Sequence, residues 1–190
     1  MLRYRTPWQL LVAVILSAQS TDAQVNRITP ALFRAAPTPQ RVLGLSRRTL
    51  EKLVYSSGFY RSKARHIHGA ALAVIERFRG RVPRTMDEML TIPGVARKTA
   101  NVVLGEVYGV VEGVTVDTHV IRLANRLGLS THRNPVKIER DLMTELPRSA
   151  WRAFSHELVW HGRKVCIARK PDCASCPLTD QCPSAFTFVL

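Results

Sequence analysis

Ile92-Pro93-Gly94-Val95-Ala96-Arg97-Lys98-Thr99-Ala100-Asn101 joins a proline–glycine turn to the opening of a helix, and Val116-Asp117-Thr118-His119 follows after one connection. A helix leaves its first N–H groups without intrahelical acceptors, so a tight turn running into one can grip a phosphate through backbone alone. Gly94, Val95, Ala96 and Arg97 supply that turn, and Lys98 stands just inside the helix, where an amine that has shed its proton can act as a nucleophile. Asp117 immediately precedes a further helical pattern. That is the position of an N-cap, and its carboxylate can serve chemistry as well.

Outward from this stretch, Pro and Gly punctuate the chain at short intervals and the segments between them have helical period. Thr6-Pro7 opens a helix through Leu16, and Thr21 or Asp22 caps a second through about Phe33 with Val25, Ile28, Leu32 and Phe33 on its inner face. Pro39 to Leu43 and Arg48 to Tyr55 read as short helices. Arg61 to Arg79 carries the inner stripe Ile67, Ala71, Val74 and Phe78. Asp87 to Leu90 and Lys98 to Val107 flank the glycine turn as a helical hairpin. Thr118 to Leu127, Pro135 to Leu146 and Ser149 to His161 complete the set. Val114-Thr115-Val116 is the one stretch that reads as briefly extended, and no repeat, low-complexity tract or linker interrupts the chain. The fold class is all α.

The 190 residues hold 28 Lys and Arg against 14 Asp and Glu, a formal charge of +14, spread along the chain without a basic tail. Such a balance suits a polyanion, nucleic acid first and an acidic membrane surface second. Arg3, Arg5 and the apolar run Leu10 to Leu16, followed by Ala18-Gln19-Ser20, have the outline of a secretory signal. Polar residues lead straight from that run into another helical pattern, which favours a buried helix, and no run is long enough to span a bilayer.

The four cysteines, Cys166, Cys173, Cys176 and Cys182, are spaced C-x6-C-x2-C-x5-C in one C-terminal loop. Clustered thiolates suit zinc or an iron–sulfur cluster, and the spacing does not separate the two. Two disulfides are the alternative for an oxidising compartment. Four protein ligands leave no open coordination position, so a metal here is structural.

The hairpin segment, the VDTH motif and the cysteine spacing together resemble the endonuclease III family of helix-hairpin-helix DNA glycosylases, from the Trp8 helix to Cys182. The resemblance implies two helical domains with a DNA-binding cleft between them. One spans 7–127 and carries the hairpin at about 85–107; the other, 128–190, holds the cluster loop and packs against the segment 1–6. It also implies a [4Fe–4S] cluster on Cys166, Cys173, Cys176 and Cys182, a catalytic lysine at Lys98 and a catalytic aspartate at Asp117. Damaged or abasic double-stranded DNA is the implied partner. Gln19 matches the residue that fills the space left by an extruded base, and Phe59 falls where the family often carries a leucine wedge; each also reads as an ordinary helix-end or core residue. Arg169 and Lys170 suit phosphate contacts, while His119 and Arg122 either hold the site or bind DNA.

The implied activity is a base-excision DNA glycosylase with AP lyase function, removing oxidised pyrimidines through a lysine Schiff base and β-elimination. A monofunctional adenine or mismatch glycosylase is expected to lack lysine at position 98, and a noncatalytic iron–sulfur DNA-binding protein is the remaining alternative. The expected protein is a monomer in the cytoplasm, nucleoid-associated if bacterial, with no membrane partner. Two departures from the family pattern stand out: Ala96 occupies the place of a usual second glycine, and the Gly105 to Val116 connection is about one residue longer. Family members usually carry a further helix before the segment that starts here at Thr6.

Overall fold

A computed structural model describes residues 2–187, so the outermost ends of the expected segments 1–6 and 128–190 lie outside the described residues. The described residues form ten α-helices with short 3-10 and π turns, and no strand. Val114 to Val116, expected to be extended, adopts no regular structure; the Thr115 amide donates to the Ser155 hydroxyl at 2.9 Å, so a side chain takes the place of a neighbouring strand. The chain divides into two compact units, at Val110 and Val111.

The first unit is built around α1 (Pro7–Ser17), in which every residue from Trp8 to Leu16 is buried. The run that outlines a secretory signal is thus the core helix of a folded unit. Around it pack α2 (Asp22–Ala35), α5 (Tyr60–Phe78) and α7 (Arg97–Val103). Val25, Ile28 and Leu32 of α2 and Ile67, Ala71 and Val74 of α5 are buried, as the helical period predicts, whereas Phe33 and Phe78 sit half-buried at the margin. Short helices α3 (Pro39–Leu43) and α4 (Arg47–Val54) lie against α5, and α6 (Met86–Leu90) precedes the glycine turn. The helix expected to run to Val107 changes at Leu104 into a π-helical turn, Leu104–Tyr108, closed by Gly109 at φ +66°. Such turns take up an additional residue within a helix, and this one lies in the connection expected to be long. The Tyr108 hydroxyl donates to the Val82 carbonyl at 2.7 Å and pins the turn.

The second unit contains α8 (Thr118–Arg126), α9 (Pro135–Glu145), α10 (Trp151–Lys164) and the cysteine loop. Val120, Leu123 and Ala124 of α8 share a core with Ile138, Leu142 and Leu158. This corrects the expected division at residue 127: α8 packs on α10, so the boundary falls before it. The N-terminal segment clusters with the first unit, where the Arg3 amide donates to Asn26 Oδ1 and the Arg5 amide to Gln9 Oε1, both at 2.9 Å. No helix among the described residues is long and apolar enough to cross a membrane.

Candidate functional site

Gly94 holds φ +81°, and a Cβ built on it would lie 2.6 Å from His66 Cβ on α5. Both backbone conformation and space therefore require glycine here. One position along, Pro93 rests against Gly69, where an added Cβ would come within 3.0 Å of the proline ring. The hairpin turn is seated on α5 by two residues without side chains. Val95 is buried, and its N–H donates to the Ile92 carbonyl at 3.1 Å. The expected phosphate donor at Val95 is corrected on that ground: its amide closes the turn.

Ala96 caps α7 with φ −93° and ψ 169°, an extended backbone that any L-residue adopts, and it offers no side-chain acceptor. By contrast, side-chain oxygens of Thr6, Thr21, Thr38, Ser46, Thr85, Asp117 and Asn134 accept from first-turn amides of their helices. Ala96 itself supplies no capping oxygen to the start of α7. Ala96 and Lys98 are exposed there, with Arg97 half-buried between them.

Gln19 and Phe59 share an unusual geometry. They are exposed, and they hold φ at +53° and +47°, left-handed values that non-glycine residues rarely adopt. Phe59 is 68% exposed, which removes the reading of it as a core residue. Each follows the end of a helical segment and precedes the next: Gln19 between α1 and α2, Phe59 at the start of α5.

In the second unit, Asp117 Oδ1 accepts from the amides of His119 at 2.8 Å and Val120 at 2.9 Å, making it the N-cap of α8. The half-buried carboxylate has its Oδ2 beyond those bonds. Arg122 Nη2 donates to the carbonyls of Gly162 at 2.8 Å and Cys166 at 3.0 Å, and lies 3.2 Å from His119 Nδ1. These bonds join α8 to the end of α10. Burial and the neighbouring Arg126 lower its affinity for a proton, while the Cys166 and Asp117 charges oppose that shift. Gly162 makes the arrangement possible, since a Cβ there would lie 3.0 Å from Arg122 Nη2 and 3.1 Å from His119 Nδ1.

All four cysteines are free thiols, half-buried, and line one cavity together with Leu123, Arg126 and His161. Soft sulfur donors around one cavity suit an iron–sulfur cluster, which brings its own inorganic sulfide. Arg126, which sequence reasoning missed, donates from Nη1 to Cys166 Sγ at 3.1 Å and to the Ile167 carbonyl at 3.0 Å, and from Nη2 to the Ala168 carbonyl at 2.8 Å. Arg169 and Lys170 follow directly and are exposed.

Residues 12–148 match the family described as HhH-GPD superfamily base excision DNA repair protein, and residues 166–182 match the iron–sulfur binding domain of endonuclease III. An endonuclease III from Synechocystis is 54% identical over 97% of this chain and 84% of its own length; the one from Bacillus subtilis is 42% identical over 94% and 82%. The chain belongs to the endonuclease III family. A solved structure of a trapped endonuclease III–DNA covalent intermediate superimposes with a TM-score of 0.93 at 41% identity, over 98% of this chain and 87% of that one. The family's iron–sulfur domain spans all four cysteines, and the cofactor is a [4Fe–4S] cluster, as the cavity and the sulfur donors fit. Cys166, Cys173, Cys176 and Cys182 would hold it.

Arg126→Ala removes charge-assisted bonds that order the loop, each worth about 1.5–3 kcal/mol. Its protein will lose the cluster's visible absorbance severalfold faster in air than the parent, while far-ultraviolet circular dichroism of the helices is retained. Equal decay rates would deny Arg126 that part.

Proposed function

We propose that this bifunctional DNA glycosylase and AP lyase removes oxidised pyrimidines from duplex DNA, with Lys98 as its nucleophile and Asp117 as the carboxylate that stabilises charge on the sugar. The observation that carries the reading is an exposed lysine in the first turn of a helix whose cap supplies no acceptor, directly after a braced glycine turn. A phosphate held by that helix start positions the sugar within reach of the amine. Related endonuclease III has been trapped covalently on DNA, as this chemistry requires.

The neutral amine of Lys98 attacks C1′ of the extruded nucleotide, and the glycosidic bond's electrons leave with the base, which takes up a proton. Opening of the sugar ring converts the adduct to a protonated Schiff base. Loss of a C2′ proton then expels the 3′ phosphate by β-elimination, and water hydrolyses the imine to release Lys98. Asp117 acts while positive charge grows on the sugar, through the oxygen not used in capping. The cluster, when bound, would fix the loop that presents Arg169 and Lys170 to phosphates. Gln19 fills the space left by the extruded base, and Phe59 wedges between bases of the opposite strand. The protein acts as a monomer in the cytoplasm, at the nucleoid if bacterial.

Base release measured across duplexes bearing different damaged bases tests the substrate class. Oxidised pyrimidines will be excised fastest; excision confined to adenine or to mismatched thymine would overturn it. The extended backbone at Ala96 gives a separate expectation. Glycine is a better N-cap than alanine by a fraction of about 1 kcal/mol, so Ala96→Gly will leave Tm unchanged or slightly raised. Undamaged-duplex binding will tighten modestly at low salt, as expected for a phosphate contact. A clear fall in Tm would place Ala96 inside the helix.

A further inference from the structure

Lys63 is only 4% exposed, on the first turns of α5, and its Nζ donates to the Ser57 carbonyl at 2.6 Å. Among the described residues no carboxylate pairs with it, and burial alone pushes its ammonium below the ordinary lysine range. Burying an unpaired ammonium is costly, and an apolar side chain of similar length would fill the same space without that cost. The glycosylase chemistry makes no use of Lys63, which is too enclosed to reach DNA. Something else has to account for it.

The carbonyl that it grips belongs to the turn that carries Phe59. Tyr55–Ser57 forms a single 3-10 turn, followed by Gly58 at φ +69° and Phe59 at φ +47°, two successive residues at positive φ of which Phe59 is left-handed. A non-glycine residue in that region persists only where its surroundings hold it. Phe59 itself is exposed and receives no such support from packing. The Phe59 carbonyl accepts from the Lys63 amide at 3.0 Å and the Gly58 carbonyl from the Ser57 hydroxyl at 3.2 Å, and further contacts hold the residues just before them. The Ser57 hydroxyl donates to the Val54 carbonyl at 2.7 Å, Gln24 Nε2 reaches the Ser56 carbonyl at 3.0 Å from α2, and Lys63 takes the Ser57 carbonyl from beneath.

We infer that Lys63 is a positioning residue for entry into the duplex, its buried Nζ locking the Tyr55–Phe59 turn in the shape that presents Phe59. The inference rests on the reading of Phe59 as the residue that enters DNA. Its consequence is selective. Steps that require a base to be displaced from a stacked duplex depend on Lys63, and imine chemistry at an already unstacked sugar does not.

The test uses Lys63→Met, which keeps the length and removes the donor, in the cluster-loaded protein. Single-turnover excision from a duplex carrying thymine glycol will slow roughly tenfold, in line with a misplaced contact. Fluorescence of 2-aminopurine opposite the lesion, which rises as that base unstacks, will rise less than with the parent protein. Borohydride trapping on a single-stranded abasic oligonucleotide will stay within about twofold. In a Phe59→Ala background, Lys63→Met will add little, because both changes remove the same contact. Gly58→Ala is a second variant that disturbs the turn from its exposed end: its methyl meets no atom, yet its φ is strained. It will show the same duplex-only loss even if Lys63→Met folds poorly. Equal slowing on duplex and single strand, or a full additional loss in the Phe59→Ala background, would overturn the role of Lys63. An unaffected Phe59→Ala enzyme would instead remove the reading of Phe59 on which it rests.

Discussion

Lys98→Ala protein will form no borohydride-trapped complex with abasic DNA, while retaining most of its affinity for the same duplex. Trapping requires a primary amine that condenses with the opened sugar, and alanine offers none. The loss should therefore be complete on the assay's scale, larger than removal of any single electrostatic contact. Binding should survive because the phosphate-facing groups are the backbone of the turn: Gly94 remains seated against His66, and Ala96 remains the cap of α7. Lys98 is exposed, so its truncation leaves no cavity and Tm will hold. Undiminished trapping by this variant would place the nucleophile on another amine.

Asp117→Asn separates the two roles of the carboxylate. Asn is as good an N-cap as Asp, and its Oδ1 can accept from His119 and Val120 as the carboxylate does, so α8 should keep its start. What disappears is the negative charge beside a sugar that becomes positive. Loss of such preorganised stabilisation typically slows a reaction by about 10²–10³, and base excision should fall by that order with little change in Tm. Asp117→Ala would lose the cap as well, costing about 1 kcal/mol of stability. If Asp117→Asn excises bases at the parental rate, the residue is a cap and nothing more.

Local signals in the chain were strong wherever one residue type answers one physical demand. Gly94 announces a left-handed turn because glycine adopts that conformation without strain, and the buried stripe of α5 follows from helical period. Partnerships across distance were harder to read. Gly69 and Gly162 carried the usual mark of close approach, a glycine inside a helix, but not the identity of Pro93 or Arg122 as the group approaching. Arg126 gave no signal, being one basic residue among many until its guanidinium meets the cysteine loop. Phe59 was ambiguous for a related reason: an aromatic residue suits a core or a DNA-facing tip equally well, and only its exposure decides.

The sequence by itself determined the helical class, the hairpin, the capping role open to Asp117 and the clustering of four thiolates, because each depends on residues close together in the chain. Tertiary structure alone decided that α8 joins the second unit, that Gly94 is seated against His66 of α5, and that a buried lysine stands beneath the turn bearing Phe59. The physical reason is that backbone preference acts over a few residues, whereas burial and hydrogen-bond partners are set by which distant surfaces meet.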